Sequence, residues 1–175
     1  MPTASQSVCP RTIRFMNWLA ALLACVEFVL GWMMPTVDRS TAPSELMAWH
    51  LSVGAAVLAL LAVHIVCRAI YEPDAIAEYR PRSVKAYLLQ LAVYCLLFSV
   101  PLTGLADASS RGWLVRLLGL LYYPLIAPRD VSLQVVLGET HRSLAWALLG
   151  LFFLHIACQL SRRSVAHSDA LRRMF

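Results

Sequence analysis

Apolar residues in this chain run in long unbroken blocks rather than in stripes with polar residues between them. Four blocks stand out, at about 15–34, 47–68, 84–106 and 140–160. A helix needs about 20 predominantly apolar residues to cross a hydrocarbon core of ~30 Å. The pattern therefore predicts four transmembrane helices forming one domain over residues 1–175, an all-α integral membrane bundle running up and down. The first block follows Arg11 and Arg14, as a secretory leader would. Its apolar run is too long for a leader, and no small-residue cleavage site follows "LGWMMPTVD", so it is read as a retained helix.

The connections between blocks differ in character. Residues 35–46, "PTVDRSTAPSEL", read as a polar turn, and residues 69–83, "AIYEPDAIAEYRPRS", as a charged loop. The third, from about 107 to 139, contains "RGWLVRLLGLLYYPLIAPRD", which Arg116 and Pro124 break and which is too short to span. Trp113, Tyr122 and Tyr123 have the amphipathic rings favoured at a membrane surface. An interfacial segment over about 111–127 is expected on the periplasmic face. Lying over the mouth of a bundle, it is either a wall of a substrate site, around Trp113 and Arg116, or a plain connector.

Composition and charge refine the picture. The chain is 59% hydrophobic and 14% charged, where a soluble domain carries about a quarter charged residues. Ten of the fifteen basic residues fall on the side holding both termini and the 69–83 loop; Arg39, Arg111, Arg116, Arg129 and Arg142 fall on the other. Short loops rich in Lys and Arg stay inside, so both termini are expected in the cytoplasm of a bacterial cell, with the chain in the inner membrane. The net charge of +5 is then juxtamembrane anchoring, and no nucleic-acid partner is needed to explain it. The five cysteines include no C-x-x-C-H for covalent haem attachment and read as small apolar packing residues.

The candidate chemistry lies in histidines. "AWHLSVGAAVLALLAVHIVCR" carries His50 and His64; "GETHRSLAWALLGLFFLHIAC" carries His141 and His155, at the same interval of fourteen residues. Fourteen residues make about 1400°, near four full turns, and about 21 Å of rise. Each pair thus shares one face of its helix with its members far apart. In an up-down bundle the second and fourth helices run in the same direction. Equal intervals then put His50 level with His141 and His64 level with His155. Two imidazoles facing each other at one depth suit the axial positions of a haem iron, and bundle interiors are where such cofactors are held. Two levels imply two haems. Structural zinc wants four ligands at one point, which two histidines per level do not offer. His167, in the tail, falls outside the pattern.

Other residues fit around this core. Gly54, one turn past His50, and Gly150 leave room for a flat macrocycle or for close helix packing. Arg68 could pair with a propionate of the inner haem and Arg142 with one of the outer haem, or both could snorkel to the interface. Glu27 is a carboxyl at membrane depth, a functional candidate by default, and proton uptake coupled to electron transfer is the role considered for it.

The chain resembles the bacterial cytochrome b561 family, which is related to the cytochrome b subunits of nickel hydrogenase and formate dehydrogenase. The resemblance rests on "NWLAALL", "WHLSVG", "YCLLFSVPLTGL", "HRSLAWALLGLFFLHIA" and "SDALRRMF", and it covers nearly the whole chain. It implies a four-helix inner-membrane protein binding two haems b and exchanging electrons with quinone. By position it implies His50 and His141 on the periplasmic haem and His155 on the cytoplasmic one. The chain departs from the family at Asn17, before Trp18, where a histidine usually stands, and at Gln90, where many members carry one. His64 is expected to replace the first-helix ligand, clamping both haems between the second and fourth helices.

The function expected is that of a dihaem b-type cytochrome passing electrons between a quinone and a periplasmic donor or acceptor, with superoxide among the donors that relatives use. It would act alone, as a homodimer, or as the membrane anchor of a larger respiratory oxidoreductase or of a periplasmic cytochrome c. A non-redox haem- or metal-binding membrane protein is the alternative.

Overall fold

A computed structural model of the chain describes residues 9–35, 42–71, 84–114, 116–117, 120–122 and 125–172. Four long helices carry the fold: α1 (Cys9–Met33), α2 (Glu45–Tyr71), α3 (Val84–Ser110) and α4 (Val131–Arg172). Each contains a segment long and apolar enough to cross a membrane: Phe15–Met33, Glu45–Cys67, Leu88–Ser110 and Val131–Cys158. Consecutive helices pack together, α1 on α2, α2 on α3 and α3 on α4. The outer faces carry large apolar side chains such as Trp18, Leu22, Val29, Val63, Phe153 and Leu154. Hydrocarbon is as good a solvent for these as a protein core, so helices in lipid need not hide them.

Local signals explain the helix ends. Ser44 caps α2, its Oγ accepting from the Met47 N–H at 3.3 Å. Asp130 caps α4, its Oδ1 accepting from the N–H groups of Ser132 (2.7 Å) and Leu133 (3.3 Å). Each cap satisfies donors that the first turn leaves unpaired. Because of Asp130, α4 starts at Val131, well before the apolar block at about 140: hydropathy locates the lipid-facing stretch, whereas capping locates the start of the helix. At the other end of the connection, α3 closes on Gly112, whose φ of 73° suits glycine. Trp113 N–H donates to Ala108 O (3.1 Å) and Gly112 N–H to Ser109 O (2.9 Å), the paired closing bonds of a Schellman motif. Trp113 then packs on Ala108 and Leu51. A Cβ on Gly112 would overlap the Arg129 guanidinium, whose Nη2 donates to Gly112 O.

The connection itself holds a two-stranded antiparallel hairpin, β1 (Arg116–Leu117) with β2 (Leu121–Tyr122), pairing Arg116 with Tyr122 and Leu117 with Leu121. β1 lies against α2, while Leu120, Leu121 and Tyr122 are exposed. The return to α4 is pinned by fully buried Ser109. Its Oγ donates to Ala127 O (2.9 Å) and accepts from Ala127 N–H (3.0 Å). The hairpin end of the bundle is thereby tied down by hydrogen bonds between the segments flanking the hairpin.

Candidate cofactor-binding site

Two cavities lie one above the other inside the bundle. One, on the side of the hairpin and termed the outer cavity for that reason, is about 530 Å³, is walled by all four helices and contains His50 and His141. The inner one, about 500 Å³, contains His64 and His155. Both volumes fall in the range of ligand pockets, roughly 300–1,000 Å³. Ala24, Phe28, Leu97, Leu148 and Leu149 line both cavities and form the apolar partition between them.

In the outer cavity the imidazoles of His50 and His141 face each other, ring centroids 6.0 Å apart and planes at 79°. His141 Nδ1 lies 2.9 Å from Val100 O. A carbonyl only accepts, so Nδ1–H donates and the Nε2 lone pair is left for a ligand. The ring also rests on Gly104: a Cβ there would come 2.9 Å from His141 Cε1 and 3.1 Å from Nδ1. Gly104 makes this stretch of α3 a notch for the ring, because it presents no side chain that competes for the space. Nδ1 of His50 lies 2.5 Å from Glu27 Oε2, an ion-pair distance without hydrogen-bond alignment. His50 Cε1 would lie 3.6 Å from a Cβ on Gly31.

The inner cavity is built from neutral groups. His64 is 4% exposed, and its ring lies 6.1 Å from that of Tyr94, tilted by 38°. The Tyr94 hydroxyl reaches Asn17 Oδ1 at 3.4 Å. Asn17 and Gln90, the two positions where a histidine is usual in the resembled family, both line this cavity. Histidine-bearing α2 and α4 thus present both pairs to the bundle interior.

The donor set fits a haem. Two imidazoles with ring centroids 6.0 Å apart line one cavity and two further histidines line the next, so each level could offer two nitrogen donors to a haem. No cluster of three or more His, Cys, Asp or Glu converges as a bare metal ion would need, among the described residues. A tetrapyrrole brings its own equatorial nitrogens and asks the protein for two axial ones.

The remaining expected residues are placed as follows. Gly54 is buried against Pro101, with Glu27 Oε1 about 4.0 Å from where its Cβ would be. Gly150 has nothing within 4 Å of a Cβ and is exposed. Arg142 stands at the rim of the outer cavity, 68% exposed and 3.2 Å from Glu139 Oε1. Arg68 and His167 belong to α2 and α4, but their side chains lie outside the described residues, as do residues 72–83.

Four residues of the site were not singled out from sequence. Arg111 lines the outer cavity, 11% exposed, its Nε donating to both Asp107 oxygens at 3.1 Å. Its guanidinium also sits 5.4 Å from the Trp113 ring centroid. The i, i+4 spacing of Asp107 and Arg111 before Gly112 was the available signal. Gly104, three residues beyond a proline within an apolar span, was the other. Trp32 and Trp146 form an edge-to-face pair at 6.1 Å that links α1 to α4 beside the outer cavity.

Compared with known proteins, residues 8–175 match a family model described as prokaryotic cytochrome b561. No curated protein and no solved structure matches the chain.

Proposed function

Since the chain belongs to the prokaryotic cytochrome b561 family, we propose that it holds two haems b stacked through the membrane, the outer one between His50 and His141 and the inner one between His64 and His155. The coarser function follows from the family and the helices together: this is a multi-pass bacterial membrane haem b cytochrome engaged in electron transfer. The observation that carries the finer reading is the pair His50 and His141, ring centroids 6.0 Å apart inside a cavity, together with His64 and His155 lining a second cavity of similar volume.

When bound, haem b supplies one-electron chemistry at its iron. The chain does the rest. Val100 O holds His141 through Nδ1 and so leaves Nε2 free for a ligand, and Gly104 leaves the ring the space to lie there. His64, buried beside Tyr94, takes the part of the absent first-helix ligand. The partition of Phe28, Leu97, Leu148, Leu149 and Ala24 excludes water between the two levels and keeps the separation short. Arg111, partly buried at the outer rim and steadied by Asp107, and Arg142, further out, offer positive charge to propionates.

Quinone is the lipid-soluble partner in this reading. It approaches along the exposed aromatic edge of Trp32 and Trp146, which are 79% and 56% exposed and also line the outer cavity. A periplasmic redox partner meets the face formed by the hairpin. Both termini lie in the cytoplasm, in keeping with the ten basic residues on that side. A dithionite-reduced minus oxidised spectrum of the purified protein, with a pyridine haemochrome count, tests the proposal. Two low-spin haems b per chain are expected. One per chain would remove the stacked pair, and none would overturn the cofactor assignment.

A further inference from the structure

Glu27 lies six residues inside the end of the Phe15–Met33 span, where a carboxyl is expensive without a partner. Its partner is an axial-ligand candidate: Oε2 stands 2.5 Å from Nδ1 of His50. The other oxygen, Oε1, is buried with no hydrogen-bonding partner among the described residues. Ligation through Nε2 would leave Nδ1 of His50 to a second partner, and Glu27 is the group that stands beside it. The contrast with the other positions is sharp. His141 has a neutral carbonyl at the corresponding atom, and no acidic side chain lines the inner cavity among the described residues. At the outer rim, Asp107 is matched by Arg111, and Glu139 by Arg142. Glu27 is left as the carboxyl whose charge bears on the outer site through a ligand.

We propose that Glu27 is a positioning residue which, acting through His50, lowers the reduction potential of the outer haem. The inference rests on His50 being an axial ligand. A carboxylate beside the N–H of a ligating imidazole fixes the ring and raises its basicity. A more basic ligand and a nearby negative charge both favour the ferric state, which carries one more positive charge than the ferrous. His141, facing a carbonyl, receives orientation without the charge.

The experiment is redox potentiometry on the full-length, haem-loaded protein at one pH, comparing wild type with Glu27→Gln and Glu27→Asp, alongside the low-spin ferric electron paramagnetic resonance signals. Glu27→Gln keeps the shape and removes the charge. It should raise the outer midpoint by at least a tenfold change in the reduction equilibrium, about 59 mV for one electron, and shift the outer ferric signal. The inner midpoint should stay in place, and Glu27→Asp should return most of the effect. Loss of the outer haem from Glu27→Gln but not from Glu27→Asp would equally assign the carboxylate to holding His50. Unchanged midpoints with both haems present, or outer-haem loss from both variants alike, would overturn the proposal. Failure of the underlying ligand assignment reads differently: His50→Ala would then keep its outer haem by pyridine haemochrome count.

Discussion

The outer and inner cavities have nearly the same volume, about 530 and 500 Å³, and each holds one histidine from α2 and one from α4. Their surroundings diverge. Around the outer pair stand a backbone carbonyl, a carboxylate, a glycine notch and, at the rim, two arginines. Around the inner pair stand Asn17, Gln90 and Tyr94, all uncharged. Two sites with one histidine pattern are thus given different electrostatic settings, and apart from Arg142, which α4 carries, the difference comes from α1 and from α3 with the turn that closes it. With haems at both levels, as proposed, identical surroundings would give an electron no preferred site; unequal surroundings create one.

This contrast can be broken most severely by removing ligands. His141→Ala should take the haem content from two per chain to one by losing the outer haem, and His155→Ala should do the same at the inner level. Loss of both haems from either variant would mean the two sites do not form independently. Gly104→Ala should act on the outer site alone. Its Cβ would press on His141 at 2.9 Å, and overpacking of this kind costs ~1–3 kcal/mol, weakening retention of the outer haem on the order of tenfold. Haem count after dilution in detergent reads it. Tyr94→Phe should touch only the inner level. It removes a long hydrogen bond to Asn17, worth ~0.5 kcal/mol at the low end of the usual range, and the inner absorption band should shift while the outer band stays.

The smallest effect concerns the end of the bundle above the outer cavity. The hydroxyl and backbone N–H of Ser132, with the N–H of Leu133, hold the Asp130 carboxyl below its usual pKa. A carboxyl lowered in this way adds stability above its ordinary value near pH 4. That contribution fades as the pH falls through the ordinary value toward the lowered one. The protection factors of the Ser132 and Leu133 amides, corrected for the intrinsic pH dependence of exchange, should therefore fall on acidification, and Asp130→Ala should show the lowered protection at neutral pH. Protection that is flat with pH would show that Asp130 does not hold the first turn of α4.

Much of the arrangement could be read from one dimension, and the reasons are specific. The four apolar blocks had to be helices, because an unpaired backbone cannot sit in hydrocarbon. The equal intervals on two helices of like direction had to put His50 level with His141. Other features have no periodicity to betray them. Arg111 read as one basic residue among five on its side of the membrane, and only the turn at Gly112 brings it beside the outer cavity. Gly104 read as a small residue in an apolar span until His141, 37 positions later in the chain, was seen resting on it.

By itself, then, the sequence determined the membrane bundle, the two histidine levels and the family, since all three depend on spacing and composition along single helices. The tertiary structure decided which groups on α1 and α3 stand behind each histidine. That choice depends on helix rotation and on contacts between residues remote in the chain: Glu27 with His50, Val100 with His141, Tyr94 with Asn17. No local pattern encodes such contacts, because each is settled by how whole helices pack against one another.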